Sequence, residues 1–366
     1  MNIAIFSPNQ NPYSETFIQA HKAYLKGNIF YYYGSKGDVK LEGTPRLISK
    51  FKRITLNIIR KLTKKQHTYV NDISLLLSLK KNNINVLLVE YGTHAYNLLK
   101  IFKQSKLPFI VHFHGYDASV KAVIKDCNCY DEVFKAAAKI IVVSKKMEQQ
   151  IISMGCPKSK VVYNVYGPHP DYELVNPNFS KQQFLFVGRL TDKKAPYYTI
   201  IAFKQVVEKY PNAKLLIAGN GILFNVCKNL IQMYKLESNV KLLGIITPFE
   251  YRELLSNSLA FVQHSITAED GDMEGTPLAV LEASAAGLPV ISTIHAGIPD
   301  VILNETTGFL VTEHDVDAMA EKMILLLNNK ELAMHLGNNG KNRIKTHFTL
   351  KRHIDVIDNL LEEASV

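Results

Sequence analysis

Two glutamates with seven residues between them, Glu274 and Glu282, are the pair in this 366-residue sequence best spaced for chemistry. Glu274 lies in an acidic, glycine-rich loop (Glu269, Asp270, Gly271, Asp272, Gly275), and Glu282 in the apolar helical pattern that follows. Pro277 suits the first position of that helix, because its missing N–H would have had no partner there, and Thr276 then reads as the N-cap. The first-turn N–H groups, around Gly275 to Leu278, join the positive end of the helix dipole in a site for an anion or a polar sugar. At about 1.5 Å per residue, Glu282 stands roughly 7–8 Å along the axis from Pro277. Two acceptors so placed, with backbone donors between them, match an extended polyhydroxylated ligand with a central anion, which is the shape of a nucleotide sugar. Taken alone, such a pair reads as a solvated loop glutamate and a surface helix glutamate. The flanking Gly-Thr-Pro, the small residues Ala283 to Ala286, Gly287 and Pro289 point instead to a helix packed closely on a sheet and closed by glycine.

A second group has complementary charge. Gln183–Val187 reads as a buried strand, and Gly188, Arg189 and Lys194 follow it in a basic loop before another helix. Glycine permits close approach of a phosphate, Arg189 can grip two oxygens, and Lys194 supplies a point charge. Lys214–Ala218 runs into Gly219-Asn220-Gly221, which is no dinucleotide fingerprint because Phe224 stands where a third glycine belongs. Gly337 to Lys341 fails as a phosphate loop, since no strand precedes it and no Ser or Thr follows the lysine. In Val111 to Ser119, His112 and His114 close a buried strand beside Gly115; either, alone, reads as a hydrogen-bonded structural histidine.

The elements that must position these residues alternate between strand and helix along the chain, which implies βαβ units and parallel, doubly wound sheets. Ligands on such sheets bind beyond the carboxyl ends of the strands, here Ser7–Asn11, Glu90–His94 and His112–Asp117. The spacing predicts helices over 15–26, 70–81 and 95–104 and strands over 85–90 and 108–114. The length suits two domains, each with its own core. A hydrophobic content of 47% and a charged content of 21% are those of a globular protein. No apolar run approaches the roughly 18 residues needed to cross a bilayer. The N-terminus has no basic region and too short an apolar stretch for a signal peptide. Cys127, Cys129, Cys156 and Cys227 read as free cytosolic thiols.

With these residues in place, Gly271 to Ile302 strongly resembles the E-x7-E signature of retaining GT-B glycosyltransferases of the group-1 (GT4) type. It looks closest to the branch that builds bacterial exopolysaccharide and capsule. Gly188 to Pro196 resembles that family's phosphate loop, with Ala195 where glycine is usual; the phrase around His114 and Ser14 to Phe17 are similar to further segments of the branch. The resemblance implies a GT-B architecture of two Rossmann-like domains facing an interdomain cleft. An acceptor-binding domain would span 1–172, a donor-binding domain 173–347, and a final helix, 348–366, would pack back on the first. It implies that Glu274 orients the transferred sugar, Glu282 holds the ribose hydroxyls, and Arg189 and Lys194 take the diphosphate. The backbone at Gly188, Gly219, Gly221, Gly275, Thr276, Pro277 and Leu278 would face the donor. His114, with His112 the alternative, would reach the donor from the other domain, and Asn9, Ser14, Glu15, Tyr91 and His94 would stand on the acceptor side. The donor would be a UDP- or GDP-hexose and the acceptor a glycan or lipid-linked glycan, with no cofactor and no divalent metal. Asp270-Gly271-Asp272 imitates a metal-binding D-x-D but lies in the approach to Glu274. Three rivals stay open: a nucleotide-sugar 2-epimerase on the same fold, a sugar-nucleotide-binding protein without turnover, and a structural or interaction protein.

The net charge of +10 is uneven. Residues 1–176 hold 25 Lys and Arg against 12 Asp and Glu, a balance of +13, whereas 177–366 hold 18 against 21, a balance of −3. Pro45 to Lys65 carries eight basic residues and no acidic one, with Leu47, Ile48, Phe51, Ile54, Ile58, Ile59 and Leu62 at roughly helical spacing. That is a basic amphipathic helix, suited to an anionic membrane surface through Lys52, Arg53, Lys64 and Lys65. The alternative is a solvated helix whose apolar side packs on its own domain. Nucleic acid is not expected as a partner, since no aromatic stacking platform accompanies the basic run. The chain is expected in the cytoplasm, peripheral on the inner face of the membrane.

Overall fold

A computed structural model describes residues 1–11 and 15–365. Ser14 lies outside the described residues. Two compact units result, the first made of 1–143, 148–164 and 354–366 and the second of 144–147 and 165–353.

In the first unit, strands β1 (Asn2–Ser7), β2 (Asn28–Tyr33), β3 (Lys40–Leu41), β4 (Val86–Glu90), β5 (Phe109–His112), β6 (Lys139–Val142) and β7 (Val161–Tyr163) form one sheet. Its order is β3-β2-β1-β4-β5-β6-β7, parallel except for the β2–β3 pair. Runs such as Ile3–Phe6 and Val86–Val89 are wholly buried. Strands covered on both faces read as continuous apolar runs, and these do. In the second unit, β8 (Gln183–Val187), β9 (Lys214–Ala218), β10 (Val240–Gly244), β11 (Ala260–Gln263), β12 (Val290–Thr293) and β13 (Gly308–Val311) run in the order β10-β9-β8-β11-β12-β13. Every pair in that sheet is parallel. The order reverses at β1/β4 in one sheet and at β8/β11 in the other, and each reversal opens a crevice at the strands' carboxyl ends.

Element bounds shift by a few residues from those expected: the first helix is Thr16–Tyr24, the later ones Tyr69–Lys81 and Gly92–Ser105, and β5 ends at His112. One cap differs. The helix that carries Glu282 spans Leu278–Ala286, with Pro277 at the cap position (φ −63°, ψ 119°) and no side-chain cap. The Pro277 carbonyl accepts from the Val280 N–H at 3.1 Å, so Pro277 precedes the first helical residue and Thr276 is not the N-cap. Gly287 ends the helix in the left-handed region (φ 88°, ψ 20°). The basic segment is the helix Lys50–Leu62, capped by Ser49, and none of its residues is buried. Phe51 and Leu62 are each 79% exposed, and Ile54, Ile58 and Ile59 are also exposed. Its apolar side therefore does not pack on its own domain. Among the described residues no helix is long and apolar enough to cross a membrane.

Candidate active site

The second unit gathers its charged groups where β8 and β11 part. After β8, Lys194 points its ammonium at Glu274 in the loop after β11, with Nζ 2.7 Å from Oε1. The neighbouring Lys193, 7% exposed, donates to Asp272 Oδ1 at 3.0 Å and to the Met273 carbonyl at 3.3 Å. Asp272 thus takes part in an ion pair with Lys193. Burial alone would raise the Glu274 carboxyl; the Lys194 and Lys193 charges and the Lys194 hydrogen bond outweigh it and hold the group down at about 2. Burial lowers the Lys194 ammonium, against the pull of Glu274. Arg189 stands exposed in the same loop.

Glycines bring the loop backbones together. Gly219 sits at φ +135°, and a Cβ there would meet the Gly188 carbonyl oxygen at 1.9 Å; one at Gly221 would meet the Leu190 carbonyl at 2.4 Å. The loops after β8 and β9 therefore lie backbone against backbone, which only glycine allows. Ala195 takes the left-handed conformation (φ 34°, ψ 55°), the physical reason for glycine's usual place there. Gly275, Thr276, Pro277 and Leu278 connect the buried Glu274 to the helix start. Inside the helix, Glu282 is half-buried near Tyr172. Burial pushes its carboxyl up to about 8, against the lowering effect of Tyr172. The two glutamates thus sit in opposite electrostatic states.

Sequence reasoning missed three further groups. His295, after β12, accepts the Glu274 backbone N–H at Nε2 (3.1 Å) and meets Glu313 Oε1 through Nδ1 at 2.6 Å. Glu313, after β13, also accepts the Thr267 N–H at Oε2 (2.8 Å). Burial would raise the Glu313 carboxyl, but the bonds from His295 and the Thr267 amide hold it low. Lys193 is the third. Their positions at strand carboxyl ends were the only signal available, since nothing in the sequence says which polar end-residues meet.

In the first unit a buried carboxylate, Glu90 at the end of β4, lies among three histidines. His21 Nδ1 is 2.7 Å from Oε1, His114 Nε2 is 2.8 Å from Oε2, and His112 Nδ1 is 3.6 Å from Oε2. Burial would raise Glu90, yet His21 and His114 hold it down at about 2. His21, Glu90 and His112 are the metal-type cluster among the described residues, with the His21–Glu90 contact at hydrogen-bond length. The His114 ring stacks on Phe17 with centroids 4.4 Å apart and meets Tyr91 edge-on at 4.5 Å. Asp117 accepts the His114 and Gly115 N–H groups at 3.0 Å each and the Gly92 N–H at 2.8 Å, which fixes the turn. Glu15 Oε1 receives the Tyr91 hydroxyl at 2.9 Å and Asn9 Nδ2 at 3.5 Å, so Asn9, Glu15 and Tyr91 form one group. His94 does not join it: it is buried 6.4 Å from the Phe6 ring, and burial lowers its imidazole to about 4.

Residues 175–343 match the family described as glycosyl transferases group 1. The chain is 32% identical over 231 residues to a protein of Escherichia coli K12 provisionally named a colanic acid biosynthesis glycosyltransferase, covering 60% of this chain and 56% of that protein. It is 30% identical over 270 residues to the amylovoran biosynthesis glycosyltransferase AmsK of Erwinia amylovora, covering 72% of this chain and 66% of the relative. The chain thus spans little more than half the length of the E. coli relative. In fold it matches the Anabaena protein HepE, solved in complex with UDP-glucose, with a TM-score of 0.78 at 14% identity over 99% of this chain and 100% of that one.

Proposed function

We propose that this chain, a member of the group 1 glycosyltransferases with two Rossmann-like units, moves a hexose from a UDP- or GDP-sugar to a glycan or lipid-linked acceptor during bacterial surface-polysaccharide synthesis, with retention at the anomeric carbon. The observation that carries this reading is the buried Lys194–Glu274 pair at the β8/β11 crevice, one turn before the helix that bears Glu282. A diphosphate bound there competes for the Lys194 ammonium and frees the Glu274 carboxylate to accept the sugar's hydroxyls. Arg189 and the first-turn N–H groups at Leu278 share the charge that grows on the leaving diphosphate, so no divalent ion is needed. Glu282, largely protonated at neutral pH, can both donate to and accept from the ribose hydroxyls. His114, with its ring held by Phe17 and Glu90, is the first unit's candidate for a sugar hydroxyl, and the departing phosphate takes the acceptor's proton. HepE's complex with UDP-glucose and the polysaccharide roles in the relatives' names agree with a hexose donor and a glycan acceptor.

We further propose that the helix Lys50–Leu62 docks on the anionic inner face of the cell membrane. Its exposed apolar side chains suit the headgroup boundary and its lysines and arginines the lipid charge.

The test is a panel of UDP-glucose, UDP-galactose, UDP-N-acetylglucosamine and GDP-mannose, read by melting temperature and by nucleotide release. One donor should raise the melting temperature and release its nucleoside diphosphate, slowly with water and faster with an acceptor extract. Release of UDP with an isomerised free sugar would mean an epimerase; stabilisation with no nucleotide release would mean a binding protein.

A further inference from the structure

The polar groups after four neighbouring strands form one connected line: Lys194 after β8, Glu274 after β11, His295 after β12 and Glu313 after β13. Its protons can be assigned from chemistry alone. The Glu274 backbone N–H can only donate, so His295 Nε2 is an unprotonated acceptor. The proton of the neutral ring then sits on Nδ1 and is donated to Glu313. Glu313 accepts at both oxygens, from His295 at 2.6 Å and from the Thr267 N–H at 2.8 Å. Thr267 and Glu274 bracket the acidic loop, so one carboxylate ties down both of its ends. Gly297, two residues past His295, lies so close beneath Gly275 that a Cβ there would meet its carbonyl oxygen at 2.1 Å. The ring therefore stands on a turn packed directly under the residue after Glu274.

We propose that His295 and Glu313 are a positioning pair for the donor sugar: Glu313 locks the His295 tautomer, and His295 fixes the backbone from which Glu274 reaches the sugar. The proposal rests on Glu274 acting as the sugar-orienting group. The loop is also held by Lys193, at the Asp272 side chain and the Met273 carbonyl, and by Lys194 at the Glu274 side chain. A diphosphate that draws off Lys194 removes one of those ties, and the His295 bond to the backbone keeps the carboxylate in place while the sugar occupies it.

Glu313→Gln is the decisive variant, because a carboxamide of the same shape cannot do what the carboxylate does. If its oxygen accepts from Thr267, its NH2 faces Nδ1, drives the proton to Nε2 and sets it against the Glu274 N–H. If its oxygen accepts from Nδ1, its NH2 meets the Thr267 N–H. With the donor selected from the UDP-sugar and GDP-mannose panel, Glu313→Gln should lower kcat about 30-fold with little change in donor KM. The melting temperature should stay near that of the parent protein. His295→Phe should lose at least as much, and His295→Gln, whose Oε1 can stand in for Nε2, should recover part of it. The double variant of His295→Phe with Glu313→Gln should be no worse than His295→Phe alone. Separately, the imidazole 15N spectrum of histidine-labelled protein should show His295 protonated on Nδ1 in the parent protein. Parent-like kcat in Glu313→Gln, additive losses in the double variant, or an Nε2-protonated His295 in the parent protein would each overturn the proposal. Normal turnover in Glu274→Gln would instead remove the functional reading beneath it, while the tautomer spectrum would still decide whether the pair is built as described.

Discussion

Glu274 and Glu282 differ by environment rather than by residue type, and pH separates them. Two lysines hold Glu274 low, at about 2, so its contribution to stability is complete above the ordinary glutamate range and lost as pH falls toward 2. Glu282 works the other way. Burial raises it to about 8, so between the unfolded value of 4.5 and about 8 the folded chain holds a proton that the unfolded chain has lost. Its contribution therefore fades as pH rises through that window. Urea midpoints measured from pH 5 to 9 should decline toward the alkaline end in the parent protein, with that decline reduced in Glu282→Gln. Identical slopes would show that Glu282 ionises normally. The sequence announced both glutamates through their spacing and flanking glycines, but not their charge states, because Lys194 is 80 positions from Glu274 and Tyr172 is 110 from Glu282. His295, Glu313 and Lys193 were silent for the same reason, as their partners lie on other strands.

Between elements, the helix Leu278–Ala286 is pressed against its neighbours by its small side chains. Gly337, read in sequence as part of a failed phosphate loop, lies inside the helix Lys330–His347, and a Cβ on it would meet the Gly287 carbonyl oxygen at 2.0 Å. Backbone cannot yield as a side-chain tip can, so Gly337→Ala should destabilise the chain by about 2–3 kcal/mol in urea unfolding. A change below the measurement error would mean that the helices separate freely. The helix Lys50–Leu62 presents the opposite case. Periodicity revealed its two faces but not what would cover the apolar one, since amphipathicity is the same for a helix against a core and a helix against a lipid surface. Each basic residue near an anionic bilayer contributes about 1 kcal/mol. Changing Lys52, Arg53, Lys64 and Lys65 to Glu should abolish co-sedimentation with phosphatidylglycerol vesicles, and Phe51→Ser with Leu62→Ser should weaken it at any salt concentration. Equal binding by the charge variant would remove the docking proposal.

Over the whole molecule, the doubly wound fold was legible because fully buried strands such as Ile3–Phe6 and Val86–Val89 announce themselves as apolar runs separated by helical periods. The short antiparallel β3 was not, because two residues carry no periodicity. The strand order was legible only as a class. Chain order does not say that β8 and β11 are neighbours, and that adjacency puts Lys194 beside Glu274. On the proposed reading this pair forms the donor site, with Glu274 acting on the sugar and Lys194 on the diphosphate. The most direct measurement is turnover of the selected nucleotide sugar by Glu274→Gln, alongside the affinity of the same protein for the nucleoside diphosphate alone. Loss of one group that acts mainly in the transition state costs about 10²–10³ in kcat, and that loss is expected here with diphosphate affinity nearly intact. Turnover close to that of the parent protein would show that Glu274 does not act on the sugar.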